Sequence, residues 1–137
     1  MAVVKELIRT EENGAISFGD YELAQKSKLS DYQHQGDMYK VKTFREITKL
    51  EKNGMFVYES VPGSAVEGFK ETDSEVAFSV SAKGDVQFTL ELEPECEYEV
   101  FIDGESAGKM RTNLSGKLSV SVELSEGQEA TMRVVKC

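Results

Sequence analysis

Acidic and aromatic side chains crowd one stretch of the chain. Asp20, Asp31 and Asp37 lie close in sequence to Tyr21, Tyr32 and Tyr39, and His34, the only histidine, sits among them. Glycoside cleavage needs two carboxyl groups roughly 5 to 9.5 Å apart, and in one variant a tyrosine replaces the nucleophilic carboxylate. On that chemistry the candidate catalytic set is Asp31, Asp37, Tyr39 and His34. A lone histidine can also serve as a general base or as one metal ligand. Against this, Gln33 and Gln35 flank His34 in a polar stretch, and no elbow motif supports a triad with Ser27 or Ser30. The chain has no Trp to offer a sugar-stacking face. The preferred reading is an exposed polar loop edged by packed tyrosines, with no catalytic residue assigned.

The remaining chemistry-bearing residues point the same way. Cys96 lies between Glu95 and Glu97, which oppose thiolate formation. Cys137 is the last residue, and neither cysteine belongs to a CxxC pair. In a reducing compartment two thiols so far apart in sequence are expected to be free. Glu91, Glu93, Glu95, Glu97 and Glu99 alternate with other residues. If 85–93 and 97–102 form a hairpin, these glutamates gather on one outer face. That face would be a solvated, repulsive edge or a set of oxygen ligands for Ca²⁺. Asp103-Gly104 and Ser115-Gly116 are turns between strands and do not resemble phosphate-binding loops. No cofactor or metal set is expected.

Charge narrows the partners. The 137 residues carry a formal net charge of −9, so nucleic acid and anionic membrane surfaces are disfavoured. The first ten residues hold Lys5, Glu6 and Arg9 among apolar positions, which is not a signal-peptide pattern. No apolar run approaches the ~20 residues of a membrane-spanning helix. A cytoplasmic location is the expectation.

The elements that must position these residues read as strands. Tyr98, Val100 and Ile102 alternate with polar residues before Asp103-Gly104, and Leu118, Val120, Val122 and Leu124 alternate later. Period two broken by glycine-bearing turns is the signature of half-buried antiparallel strands. Strands are expected near 75–81, 85–93, 97–102, 107–112, 117–124 and 129–135, with 107–112 at an edge. Asn13-Gly14 predicts a first hairpin of strands 3–10 and 15–23 with a type I′ turn. Residues 38–44 form a further strand, while 26–35 reads as a loop or an irregular edge. Residues 43–52 fit either a short helix opened by Thr43-x-x-Glu46 or a hairpin turning at Asn53-Gly54. The hairpin is preferred because Met55 to Tyr58 is plainly β-forming. Residues 61–74 hold Pro62, Gly63 and Gly68 with no clear period, and read as a domain boundary. The expectation is therefore an all-β chain: an N-terminal β-hairpin region (1–67) packed with a C-terminal immunoglobulin-like antiparallel β-sandwich (68–137).

Two resemblances follow from quoted stretches. YEVFIDGESAGKM and TNLSGKLSVSVEL resemble the small immunoglobulin-like modules at the ends of many bacterial carbohydrate-active proteins. ISFGDYEL and KVKTFREITKLEKNGMFVYESVPG, with their spacing, resemble small uncharacterised bacterial proteins often labelled endosialidase, across nearly the whole chain. The label implies cleavage of sialic-acid polymers, but the resemblance carries no catalytic residue onto this sequence.

The first functional expectation is a non-enzymatic all-β interaction or assembly protein, with a protein partner or self-association. The alternative is a small glycan-binding or sialic-acid-polymer-active protein. The alternation also names a C-terminal core: Val76, Phe78, Val86, Phe88, Leu90, Tyr98, Val100, Ile102, Leu118, Val120, Val122 and Val134. Phe88→Ala should cost roughly 3–5 kcal/mol of unfolding free energy. A loss below about 1 kcal/mol in urea titration would put Phe88 in water and the register one residue out.

Overall fold

Apolar alternation, interrupted by turns, yields thirteen strands among the described residues of the computed structural model, 3–137. They are β1 (Ile8–Thr10), β2 (Ile16–Phe18), β3 (Ser27–His34), β4 (Asp37–Phe44), β5 (Ile47–Lys52), β6 (Met55–Val61) and β7 (Ala65–Glu71). They continue as β8 (Glu75–Ser81), β9 (Val86–Glu91), β10 (Glu97–Ile102), β11 (Glu105–Arg111), β12 (Lys117–Val122) and β13 (Glu129–Lys136). One antiparallel sheet runs β1-β2-β7-β8-β13-β10-β11, and a second runs β12-β9-β6-β5-β4-β3. The all-β expectation holds, and β11 is an edge strand as its weak pattern indicated. No helix among the described residues is long and apolar enough to cross a membrane.

The two sheets share one apolar core. From the first sheet come Phe18, Phe69, Phe78, Val80, Val100, Met132 and Val134; from the second come Val41, Leu50, Tyr58, Phe88, Leu90 and Val120. Aromatic rings bridge the interface edge to face, Phe18 with Tyr58 at 5.4 Å and Phe78 with Phe88 at 5.3 Å between centroids. That geometry places ring edges against ring faces, the favoured arrangement of aromatic quadrupoles. Every residue of the C-terminal core named from alternation is buried except Ile102, which is half-buried at the end of β10.

The division at 67/68 meets no break in the structure. β7 runs through it, hydrogen-bonding β2 on one side and β8 on the other. β6 likewise pairs with β9, so both sheets mix strands from the two proposed halves. Of the two readings open for 26–35, a loop or an irregular edge, the structure forms the second: β3 is a bulged edge strand. The weak alternation there and at 61–74 has one cause, the β-bulge. In β3 the pairing slips between Leu29 and Tyr32, with Asp31 at φ 59°, and in β7 it slips between Glu67 and Lys70. An extra residue shifts the inward phase by one and erases period two. In β7 the bulge's Gly68 N–H donates to Ser17 Oγ of β2 at 3.0 Å, so the unpaired amide is satisfied.

Other turns follow their residues. Asn53-Gly54 and Asp103-Gly104 have both central φ angles positive, the type I′ pattern, and the first makes 43–58 a strand hairpin with no helix. Asn13-Gly14 departs from it: only Gly14 is left-handed, and Glu11 and Ala15 close a longer turn. The first hairpin is accordingly short. The hairpin expected between 85–93 and 97–102 is not formed. β9 and β10 lie in different sheets, with Pro94 in the connection.

Two of the connections that change sheet meet inside the protein. The β6–β7 link brings Gly63 against Phe44, where an added Cβ would sit 2.0 Å from the carbonyl oxygen. The β2–β3 link brings Gly19 against Ser64, where a Cβ would sit 2.3 Å from the carbonyl oxygen. Buried hydroxyls satisfy the backbone there. Asp20 N–H donates to Thr43 Oγ1 (2.9 Å), and Ser64 N–H donates to Thr48 Oγ1 (3.0 Å). Thr48 Oγ1 donates to Ser64 O (2.8 Å), which leaves Thr43 to donate to Thr48 (2.8 Å). Tyr58 Oη and Ser60 Oγ both bond Ser64 Oγ, at 2.8 and 2.6 Å.

Burial pushes the Tyr58 hydroxyl up to about 12, with its bonds to Ser64 and Ser60 opposing the shift. An unfolded tyrosine ionises near ~10, so above that pH the unfolded chain releases a proton that the folded chain retains. Stability should be unaffected by this group below about pH 10 and fall by about 3 kcal/mol as pH rises to about 12. Urea unfolding of wild type and Tyr58→Phe across that range should show a shallower alkaline loss in the variant; equal slopes would refute the assignment.

Candidate functional site

The β3–β4 hairpin ends at the Gln35-Gly36 turn, over the open end of the sheet pair near β2 and β7. There the strands' alternation turns His34, Asp37 and Tyr39 toward one cleft of about 210 Å³. Lys52, Phe69 and Glu71 line its other parts. Three of the four sequence candidates therefore converge. Asp31 does not: it is exposed at the β3 bulge, where its positive φ serves the backbone. Asp20 and Tyr21 are also elsewhere, Asp20 at the sheet crossing and Tyr21 in a small apolar group with Val3 and Ala65.

The convergent groups are each tied to the frame. His34 Nδ1 meets Thr10 Oγ1 at 3.1 Å, and Thr10 Oγ1 meets Tyr32 Oη at 2.9 Å, joining the edge strands β1 and β3 of the two sheets. The His34 ring stands edge-on to Tyr39 at 5.9 Å. Asn53 Nδ2 donates to Asp37 Oδ1 at 2.9 Å, and Lys52 lies 3.6 Å from Oδ2. The Asn53 bond chiefly, with Lys52 and His34 adding attraction, holds the Asp37 carboxyl below its ordinary range. Burial raises the Tyr39 hydroxyl. Burial also raises the Glu71 carboxyl, with Lys52 opposing, although the residue as a whole stays exposed. The cleft thus offers two carboxyl groups, Asp37 and Glu71, two ammonium groups, Lys52 and Lys70, and aromatic faces, suited to holding a small polar ligand.

A second feature lies on the outer face of the other sheet. Register places Lys28 opposite Lys42 and Lys42 opposite Lys49, a row of three lysines across β3, β4 and β5. Lys40 stands two residues along β4, and Lys26 precedes β3. The nearest counter-charges are Glu51, opposite Lys40, and Glu59, opposite Lys49. Among the described residues, the ion pairs engage Arg9, Lys52, Lys117, Arg133 and Lys136, and none of these five lysines. Partial burial lowers the Lys42 ammonium, and Lys26, Lys49 and Lys28 push it the same way. Sequence reading missed the row. The signal is present in Lys40-x-Lys42, but the polar, mixed stretch around Lys28 carries no alternation that would set its register against β4.

The glutamate run has no such convergence. Glu91 pairs with Lys117 at 3.6 Å, Glu93 with Lys136, and Glu99 accepts from Ser106 Oγ at 2.7 Å. Among the described residues no three His, Cys, Asp or Glu side chains are grouped to hold a metal ion. Cys96 and Cys137 are free thiols, and Cys96 Sγ points to Glu93 at 3.5 Å.

The fold and its surface define the class: an all-β protein of two antiparallel sheets around one core, with a small polar cleft and a basic outer face. Comparison with protein-family models, with curated proteins and with solved structures returned no match.

Asn53 can be tested without disturbing its turn, because glycine accepts the same φ of 53°. Asn53→Gly should move the Asp37 carboxyl up toward the ordinary carboxylate range in a carbon-detected NMR pH titration. No movement would mean that Asn53 is not the principal cause.

Proposed function

We propose that the protein is a non-enzymatic interaction or assembly protein that engages an anionic partner through the lysine row. The observation that carries this reading is the direct cross-strand alignment of Lys28, Lys42 and Lys49 in a chain of net charge −9. Like charges directly opposite on a sheet destabilise it. Folding gains nothing from that repulsion, whereas an anion laid across the row converts it to attraction.

A second reading, glycan binding, is favoured by the convergence of His34, Asp37 and Tyr39 on one cleft. The resemblance to proteins labelled endosialidase makes sialylated saccharides the ligand class to try there.

One NMR experiment separates the two. Isotope-labelled protein is titrated with polyglutamate and, separately, with oligosialic acid, at about 0.1 M salt, where screening reaches only ~10 Å. Polyglutamate should shift amides of β3, β4 and β5, and Lys42→Gln/Lys49→Gln should abolish those shifts. Absence of shifts there overturns the anionic-partner reading. Saccharide shifts at Tyr39 and Phe69 would favour the second reading, and saccharide shortening would make the protein an enzyme.

A further inference from the structure

The opposite sign of charge is concentrated at a different place on the same chain. A groove of about 560 Å³ opens where β10 ends, β12 ends and β13 begins. Asp103, Glu123 and Glu129 line it, together with apolar and neutral polar residues, and no Lys or Arg is in its wall. All three carboxylate residues are exposed, and none is in an ion pair among the described residues. Asp103 has a structural task, accepting from Thr131 N–H at 2.8 Å; among the described residues Glu123 and Glu129 have no side-chain bond of this kind.

We infer that the anionic partner of the lysine row is a second copy of this chain, docked head to tail, its acidic groove over Lys28, Lys42 and Lys49. The inference rests on the anionic-partner reading and names that partner. Charge complementarity carries it: three lysines that outnumber the facing Glu59 and form no ion pair among the described residues lie on one sheet, and three carboxylates likewise outside any ion pair line a groove elsewhere. The lysine row spans two strand spacings, about 10 Å, short enough for one groove to cover. Long-range repulsion between copies of net charge −9 acts against contact, but at about 0.1 M salt it is screened beyond ~10 Å while touching patches still attract. Strand-edge pairing is blunted at three of the four edges, since β1 has three residues and β3 and β11 are bulged. The fourth edge, β12, is regular, and pairing through it would resist salt and survive both pairs of neutral substitutions. The two patches are different surfaces, so the contact is heterologous and continues from copy to copy unless the rotation closes a ring.

Neutral substitutions test it on the full chain. Lys42→Gln/Lys49→Gln removes the basic side, and Glu123→Gln/Glu129→Gln removes the acidic side while sparing Asp103. By sedimentation velocity at about 0.1 M salt, wild type should form species larger than a dimer as concentration rises, and return to monomer near 1 M salt, where screening falls to ~3 Å. Each variant alone should be monomeric, with self-affinity at least about 10-fold weaker. An equal mixture should stop at a one-to-one dimer, because only one basic and one acidic side remain intact. A monomeric wild type, or variants that assemble like wild type, overturns the inference. If that wild type still binds polyglutamate through β3–β5, the anionic-partner reading stands without it. If it binds neither, both fail.

Discussion

The junction where two sheet-changing connections touch, at Gly19, Gly63 and Ser64, constrains the rest of the structure. Both links pass through space that has no room for a Cβ. They also bring backbone groups of Asp20 and Ser64 away from water, and Thr43 and Thr48 satisfy them. The energetics are asymmetric. A made hydrogen bond contributes about 1 kcal/mol net, whereas a buried group left without a partner costs about 1–3 kcal/mol. The hydroxyls therefore add little as glue and act mainly to make this one crossing permissible. Tyr58 ties the junction to the aromatic core, since its ring packs on Phe18, Phe78 and Phe88 while its hydroxyl reaches Ser64.

That crossing determines which surfaces the molecule presents. It lays β3, β4 and β5 side by side at the free end of one sheet, so alternate lysines from three strands come into line. It also sets the β3–β4 turn over β7, which creates the cleft with His34, Asp37 and Tyr39. The two features differ in how much free energy they leave unused. In the cleft, Asp37 is already matched by Asn53 and Lys52. On the outer face the lysines repel one another, and the strand pairing sets Glu51 and Glu59 against them. The surface is thus the place where a partner has most to contribute.

The sequence by itself determined the fold class and much of the core. Where strands are regular, as in Val86-Phe88-Leu90 and Leu118-Val120-Val122, alternation identified inward residues correctly, because period two is a direct consequence of the pleat. Asn53-Gly54 and Asp103-Gly104 were legible for a similar local reason, since positive φ at two successive positions selects those residues. Tertiary structure alone decided the rest. Bulges in β3 and β7 shifted the inward phase in mid-strand, which left 26–35 open between a loop and an irregular edge and erased the period at 61–74. Sheet membership was equally hidden. β9 and β10 follow each other yet lie in opposite sheets, because which strands pair depends on burying both apolar faces together. The candidate site divides along the same line. His34, Asp37 and Tyr39 were visible as a cluster because one hairpin holds them. The lysine row, with members at 28, 42 and 49, exists only through cross-strand register. Register is set by long-range pairing, and no local window of sequence contains it.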